Sequence, residues 1–248
     1  FAIKAPPSDW EFEEHLKQIS IPYDIEYPVS APYKLFHSKH IFQKETFDSL
    51  KDGEWLYAEV VDTYMSLLAQ QDQVKDKSII LFSSTLYSDF ARPVPIKKDM
   101  TQPRKSSKAR YADVKEYTEH VPITEISKII VPVNLGNNHW ILAVIDMKKQ
   151  HITSYDSFNK VHTEERTMLL RWVEQELRSK GATFEKKKWS TSAGECHRQN
   201  GMIDCGVFVC VNAAHIAFGK PLNYSVEDFY KNSRKRIAWS ILHGSITD

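Results

Sequence analysis

Three short apolar segments that follow one another closely restrict the fold of this chain more than any other feature of its sequence. They read "KIIVPVNL" at 128–135, "WILAVIDM" at 140–147 and "HITSYDS" at 151–157. β-Branched and apolar residues concentrated in runs of this length predict strands, and the short polar turns between them predict antiparallel neighbours. The earlier run "KSIILFS" at 77–83 predicts one more buried strand.

Helical patterns surround these strands without alternating with them. Apolar residues at three- and four-residue steps predict an amphipathic helix that begins near Trp55. A second amphipathic helix is predicted with Thr163 as its N-cap and Gly181 at its end. Further helices are predicted around 10–19, over the wholly apolar segment 205–219, and over 225–244. Strands and helices in this mixed order predict an α+β fold.

The chain divides by composition into an arm and one domain. Residues 1–35 mix prolines and aromatic residues without a sustained period, which predicts an irregular N-terminal arm. A single domain is predicted over 36–248, interrupted by a basic insertion loop at 98–115. The loop admits two interpretations: a solvated insertion, or a patch for nucleic acid or localisation.

Overall charge and hydropathy exclude several classes of function. The 248 residues carry 33 basic and 32 acidic side chains, so no global field favours nucleic acid or an anionic membrane. No apolar run approaches the roughly 18 residues that a membrane span needs. We therefore expect a monomer with no obligatory nucleic acid and no membrane insertion, in a reducing compartment that is either the nucleus or the cytoplasm. Because the chain begins at Phe1, we expect it to be part of a longer protein.

All three cysteines, Cys196, Cys205 and Cys210, lie within fifteen positions. A zinc site is one interpretation, but the intervals of eight and four residues differ from the close pairs of structural zinc sites. Packing suits Cys210, which lies among valines and a phenylalanine and resembles a small buried hydrophobe. We expect Cys196 to lie in a loop, and we expect neither a metal nor a cofactor.

Cys205 differs from the other two because it begins the predicted buried helix, with Asp204 available as N-cap. The positive end of a helix favours the thiolate, which is the nucleophilic form of cysteine. A nucleophile needs a base, and His139 lies between a polar loop and a predicted strand, where a rigid sheet would hold it. Asp156, seventeen positions later, could orient that imidazole from the neighbouring strand. Gln199, six positions before Cys205, could donate its amide N–H to an oxyanion.

The set of motifs resembles the SUMO-specific proteases, which are adenain-like cysteine peptidases acting on ubiquitin-like modifiers. The matching segments are "GEWL" at 53–56, "VPVNLGNNHWILAVID" at 131–146, "YDS" at 155–157, "QNGMIDCGVFVC" at 199–210 and "RKRIAWSIL" at 234–242. They occur in the family's order over roughly residues 40–245. The resemblance implies a papain-like, adenain-like fold in which a mixed sheet packs between helices and a buried helix carries the nucleophile at its N-terminus.

The same resemblance implies a role for each candidate residue and a reaction that needs no cofactor. Cys205 would be the nucleophile, His139 the base, Asp156 the residue that orients it, and Gln199 the oxyanion donor. Two tryptophans, Trp55 and Trp140, would cover a narrow channel for the modifier's C-terminal Gly-Gly. Cleavage after Gly-Gly would mature or remove SUMO, so the expected partners are SUMO or another ubiquitin-like modifier and its conjugates.

One departure from the family leaves the identity of the modifier open. The family usually reads W-L-N-D where this chain has "WLYA" at 55–58, and Ala58 cannot make a charge-assisted contact. A protease for ubiquitin, or for the modifier removed by deneddylases, is therefore an alternative. An inactive module that binds a ubiquitin-like partner is another, although every catalytic position is filled.

Overall fold

The computed structural model of the chain describes residues 6–26, 39–91 and 111–246. Seven strands are formed in this part of the chain: β1 Tyr23–Glu26, β2 Lys39–Phe42, β3 Ile79–Leu81, β4 Lys128–Asn134, β5 Trp140–Asp146, β6 His151–Tyr155 and β7 Ser190–Gly194. The first two form an antiparallel pair, and the other five form one sheet in the order β3-β4-β5-β6-β7. The predictions of strands at 77–83, 128–135, 140–147 and 151–157 are confirmed.

The five-stranded sheet is mixed, because its three central strands run antiparallel while β3 and β7 run parallel to their neighbours. Asn134 pairs with Trp140 across β4 and β5, and Leu142 pairs with Tyr155 across β5 and β6. This register places the start of β5 and the end of β6 at the same end of the sheet. Residues immediately before β5 and immediately after β6 are therefore neighbours.

Helices cover both faces of this sheet, which confirms the predicted α+β class. They are α1 Phe12–Leu16, α2 Lys44–Asp48, α3 Ala58–Ala69, α4 Asp72–Lys75, α5 Thr85–Ala91, α6 Thr163–Ser179, α7 Cys205–Phe218 and α8 Val226–His243. Alternate residues of β5 point to opposite faces. Leu142 packs into a core with α3, α7 and α8, whereas Ile141 packs into a second core with α5 and α6. The apolar helix α7 lies inside the first core.

Two helices begin at residues other than those the sequence predicts. The helix predicted to begin near Trp55 begins at Ala58, because the preceding backbone is extended and delivers the buried Leu56 to the core. The N-cap of α6 is His162, whereas Thr163 is its first helical residue. The imidazole of His162 is engaged elsewhere and does not cap the helix. Among the helices of the described residues, none is both long and apolar enough to cross a membrane.

The N-terminal arm is more ordered than the sequence predicts within its described part. Helix α1 buries Phe12 against the first core, and Trp10 packs edge-on against Trp239 of α8 with ring centroids 5.2 Å apart. Strand β1 pairs with β2, on the far side of the predicted boundary at residue 36. The helix predicted around 10–19 is thus confirmed as α1, whereas strand β1 was not predicted, because it is recognisable only by its pairing with β2. The boundary itself stays a prediction.

Most of the predicted basic insertion, 98–110, lies outside the described residues. Its last residues, 111–115, belong to the packed domain. The hydroxyl of Tyr111 donates a 2.5 Å hydrogen bond to Glu176 of α6, and Val114 is fully buried. Residues 111–115 thus pack with the domain, and the insertion itself stays a prediction.

Candidate active site

His139 and Asp156 are joined by a hydrogen bond at one end of the central sheet. His139 immediately precedes β5 and Asp156 immediately follows β6, so the strand register brings them together. The distance between His139 Nε2 and Asp156 Oδ1 is 2.8 Å. Both side chains are largely buried. The structure thus brings together the histidine and the carboxylate that the sequence predicts to be partners.

The Asp156 carboxylate accepts hydrogen bonds from four groups. Oδ1 accepts from His139 Nε2 and from the backbone N–H of Phe158 at 2.9 Å. Oδ2 accepts from the N–H of Lys160 at 3.0 Å and from Nε2 of His162 at 2.8 Å. Burial alone would raise the pKa of Asp156, but the two imidazoles and the Phe158 N–H outweigh it and hold the pKa well below its usual range. The carboxylate is therefore ionised at neutral pH.

His139 is held with one ring nitrogen on the carboxylate and the other free to act on the cysteine. Burial would lower the pKa of His139, but the hydrogen bond that it donates to Asp156 and the side chain of Cys205 outweigh burial and raise the pKa to about 9. Nδ1 is buried and has no hydrogen-bond partner among the described residues. The ring of Phe158 packs against the imidazole with centroids 5.0 Å apart. An imidazole held this way suits proton transfer at Nδ1.

Cys205 is the first residue of α7, as the sequence predicts, and it lies at the mouth of a cleft. The free N–H groups of the first helical turn favour negative charge at this position. Asp204 occupies the N-cap position, but its side chain makes no capping hydrogen bond. Its carboxylate instead accepts from the guanidinium of Arg234 at 2.9 Å. The expectation of a side-chain cap is wrong, because a buried arginine takes the carboxylate.

The cleft has a volume of about 380 Å³ and extends over His139 and Cys205. Its walls are residues 55–58, Asn134 with 137–140, and Ile203. The two predicted channel tryptophans differ: Trp55 is 43% exposed, whereas Trp140 is 5% exposed. Trp140 Nε1 donates a hydrogen bond to the carbonyl of Leu56 at 3.2 Å. This bond ties the two sides of the cleft to each other.

Helix α7 approaches the cleft wall closely enough to require glycine after the cysteine. A Cβ on Gly206 would lie 2.9 Å from Cβ of Leu56 and 3.3 Å from Cδ1 of Trp140. Real Cβ contacts are longer than the first of these distances. The glycine therefore lets α7 lie directly against the residues that line the cleft.

The side chain of Gln199 is buried beside the loop that carries Asp156 and is held at both ends. Its Oε1 accepts from the hydroxyl of Ser157 at 2.6 Å, and its Nε2 donates to the carbonyl of Gly201 at 2.6 Å. Its backbone N–H donates to the carbonyl of Ser157 at 3.0 Å. A primary amide carries two N–H groups, so one remains after the bond to Gly201. The assignment of Gln199 as oxyanion donor stays a prediction.

The remaining two cysteines lie in surroundings that suit the thiol form. Cys210 is fully buried, and this burial raises its pKa far above the usual value. Cys196 is half-buried in the loop after β7, where burial raises its pKa to about 11. The predictions of a packing role for Cys210 and a loop position for Cys196 are confirmed.

Two residues of the site were missed by reasoning from the sequence, namely His162 and Arg234. His162 is one of ten histidines and has no motif of its own, so only its position six residues after Asp156 could have drawn attention to it. Together with His139 and Asp156 it places three potential metal-ligating atoms within 4.8 Å of one another. Each of the two imidazoles donates a 2.8 Å hydrogen bond to Asp156, so all three groups already have a partner.

Strand β7 was missed as well, since "STSAG" lacks the apolar residues that predict a strand.

Solved protease structures share the fold of this chain. The structure superposes on the C-terminal Ulp1 protease domain solved in complex with Smt3, the yeast ortholog of SUMO, with a TM-score of 0.70 and 21% identity over 96% of this chain and 97% of that one. The Ulp1-like SUMO protease catalytic domain of Chaetomium thermophilum gives a TM-score of 0.68 and 18% identity over 99% and 93%. The predicted adenain-like fold is confirmed.

Sequence comparison then gives the family. Residues 54–243 match the model of the Ulp1 protease family, C-terminal catalytic domain. The chain belongs to this family. Sentrin-specific protease 2 of Homo sapiens is 27% identical over 199 residues, which are 79% of this chain and 31% of that protein. Sentrin-specific protease of Caenorhabditis elegans is 30% identical over 171 residues, 67% of this chain and 22% of that protein. The chain thus spans less than a third of the length of these relatives.

Proposed function

We propose that this chain is a cysteine peptidase and isopeptidase that cleaves after the C-terminal Gly-Gly of a ubiquitin-like modifier of the SUMO type. The observation that carries the proposal is the 2.8 Å bond between His139 and Asp156 beside Cys205 at the start of α7. Membership of the Ulp1 family and the sentrin-specific names of its relatives support the choice of substrate. The activity requires no cofactor.

In the proposed reaction Cys205 attacks the carbonyl carbon of the terminal glycine. The thiolate forms a C–S bond, and the carbonyl oxygen takes up negative charge at the N–H groups that begin α7 and at the amide of Gln199. The imidazolium of His139 then donates its Nδ1 proton to the leaving amine, and the C–N bond breaks to leave a thioester. His139 next takes a proton from water, which attacks the thioester and releases the modifier as a free carboxylate.

In these reaction steps, Asp156 holds the imidazole of His139 through Nε2 while Nδ1 faces the cysteine. The carboxylate stabilises the imidazolium that coexists with the thiolate before attack. A pKa of about 9 for His139 keeps the imidazole protonated at neutral pH. The proton needed by the leaving amine is therefore already in place when the substrate binds.

Selection of Gly-Gly follows from the shape of the cleft between Trp55 and Trp140. Glycine lacks the Cβ that would collide with flat indole walls in a narrow channel. The hydrogen bond from Trp140 to the carbonyl of Leu56 fixes the spacing of these walls. A substrate with alanine in place of either glycine would therefore bind poorly.

The proposal also covers the oligomeric state of the protein and the compartment in which it acts. We infer a monomeric catalytic domain over 36–248 that acts in the nucleus or cytoplasm on conjugates and precursors of the modifier. Cys205 in its reduced form is required for attack, and a reducing compartment maintains it.

A panel of modifiers with a C-terminal electrophile tests the proposal directly. The wild-type chain is expected to form a covalent adduct with the SUMO probe, and Cys205→Ala is expected to form none. Cys196→Ala provides a matched control that should label like the wild type. Failure of the wild type to label at high enzyme concentration, or labelling of Cys205→Ala, would overturn the assignment.

One observation favours a second candidate substrate. Ala58 lines the cleft and presents no charge to a modifier. If ubiquitin or the modifier removed by deneddylases labels Cys205 faster than SUMO does, the reaction stands and the substrate changes.

A further inference from the structure

Asp156 lies between two imidazoles, and the proposed reaction uses only one of them. His162 Nε2 donates to Oδ2 at 2.8 Å, the same distance at which His139 Nε2 meets Oδ1. His162 is 7% exposed and immediately precedes α6. The two rings are 6.3 Å apart between centroids and 32° from parallel. The carboxylate is thus held by a side chain on each oxygen.

The second imidazole anchors the carboxylate to an element outside its own loop. The other donors to Asp156, the N–H groups of Phe158 and Lys160, follow it in the same loop and move with it. His162 is fixed by the start of a seventeen-residue helix that packs on the sheet. Without this donor, rotation of the carboxylate about its last side-chain torsion is restrained only by the local backbone and by His139, the ring that the carboxylate has to orient.

His162 lies between two carboxylates, with Nε2 on Asp156 and Nδ1 toward α6. Its Nδ1 faces the carboxylate of Glu165, one turn into α6, at 3.5 Å. The buried guanidinium of Arg166, also on α6, donates to Ser154 of β6 at 2.6 Å. Among the described residues, the charged and titratable groups near His162 thus include Asp156 from the loop after β6, His139 immediately before β5, and Glu165 and Arg166 from α6.

We infer that His162 is a positioning residue for the proposed peptidase: it holds the Asp156 carboxylate so that Oδ1 stays on His139 and keeps the imidazolium aligned with Cys205. The inference rests on the proposed function, since it assigns a role in the same reaction. His162 touches neither the nucleophile nor the cleft, and it acts only through Asp156.

The test compares two amides at position 162. The amide nitrogen of glutamine can occupy the place of Nε2, whereas asparagine is too short to reach it. Asparagine is also a favoured N-cap residue, so His162→Asn should keep the start of α6 intact. His162→Gln is the conservative variant, and His120→Gln, at a position whose side chain is 76% exposed, is the control.

The first readout is the rate at which iodoacetamide alkylates Cys205, followed on its peptide by mass spectrometry between pH 5 and 9. It needs no modifier, so it does not depend on the substrate. We expect His162→Asn to lower the rate at pH 6.5 by roughly tenfold and to move the half-maximal rate to higher pH, as loss of one hydrogen bond to a charged group predicts. His162→Gln should stay within about twofold of the wild type.

The second readout is turnover of a modifier precursor, for which His162→Asn should lower kcat and leave KM unchanged. Equal alkylation rates in His162→Asn and the wild type would overturn the inference, as would equal losses in the asparagine and glutamine variants. If the wild type alkylates as expected but no modifier probe labels it, the proposed function fails while the role of His162 in the Cys205–His139 pair stands.

Discussion

Arg234 of α8 donates two hydrogen bonds to Asp204, the residue before the cysteine that begins α7. The distances to Oδ1 are 2.9 Å from Nη2 and 3.3 Å from Nε. The same guanidinium donates to the carbonyls of Ser49 and Lys51 at 3.1 and 2.9 Å and to that of Glu54 at 2.6 Å. One buried arginine therefore ties the nucleophile helix to the segment that leads into the cleft wall.

Replacement of Arg234 by alanine should damage both stability and reactivity. It leaves a buried carboxylate and three carbonyls without their donor, and the loss of one partner of a buried pair costs about 3 to 5 kcal/mol. We expect a fall of that size in the free energy of unfolding, measured with urea, and slower alkylation of Cys205. Arg236→Ala is the control, because that side chain is partly exposed and its pairing with Asp228 contributes about 1 kcal/mol or less. Similar losses in the two variants would contradict the role given to Arg234.

Substitution of Asp156 by asparagine should lower the pKa of His139. The neutral amide removes the larger of the two influences that raise this pKa to about 9, and burial, then opposed only by Cys205, pulls it toward its ordinary value of 6.5. NMR titration of the imidazole resonances measures the change. His151, which hydrogen-bonds to Ser190 and Ser192, should keep its resonances and serves as an internal reference.

The same Asp156→Asn variant should lose about 10⁴-fold in kcat, the loss known when asparagine replaces the orienting aspartate of a serine-protease triad. Hydrolysis of a modifier precursor measures this. A variant that keeps kcat within tenfold of the wild type would show that His139 needs no carboxylate.

Asp62 should make the protein less stable as the pH rises from about 4 to 7. This buried carboxyl accepts from the N–H and hydroxyl of Ser84 at 2.7 and 3.0 Å, and burial raises its pKa to about 7. Between 3.8 and 7 the folded state holds a proton that the unfolded state has lost, so the free energy of unfolding falls with pH across that range and is flat above it.

Asp62→Asn removes this pH dependence while keeping a group that can pair with both polar atoms of Ser84. We expect it to be more stable than the wild type at pH 8 by about 2 to 4 kcal/mol and equally stable near pH 4. Urea unfolding at the two pH values measures the difference. A variant that is less stable at pH 8 would contradict the prediction.

Gly206→Ala should lower the free energy of unfolding, because the added methyl conflicts sterically with Leu56. The added methyl would lie 2.9 Å from Cβ of Leu56, and overpacking of this kind costs about 1 to 3 kcal/mol. We expect Gly206→Ala to slow the alkylation of Cys205 as well. Addition of Leu56→Gly, which removes the Cβ in conflict, should restore part of that rate. Gly201→Ala is the control, because nothing lies within 4 Å of a Cβ at that position. Equal behaviour of the two alanine variants would show that α7 can shift without consequence.

The features that the sequence predicts are those that arise from local pattern. The three central strands follow from β-branched runs, and α7 follows from an apolar segment ending at Gly219, which takes the left-handed conformation. His139 and Asp156 could be paired because a short turn links β5 to β6, so their places at one end of the sheet follow from register.

The features that escaped prediction depend on contacts between distant segments. Arg234 meets Asp204 from thirty residues away, and nothing near Arg234 in the sequence marks it as buried. Strand β7 is recognisable only by its pairing with β6, because its own residues are small and polar. The extended entry to α3 is set by burial of Leu56, which overrides a periodic pattern that favours helix.

The turn at Gly181 separates the two halves of the site along the chain. His139 and Asp156 precede it, whereas Cys205 follows it, and Gly181 itself is an exposed residue with a positive φ of 72°. Division of the protein there would yield one fragment with His139 and Asp156 and another with Cys205, and we expect each to be inert alone. Pairing of β7 with β6 and the bonds between Gln199 and Ser157 would rejoin them. A split protein divided at this turn would thus report association of its two fragments through the proposed cleavage of a modifier precursor.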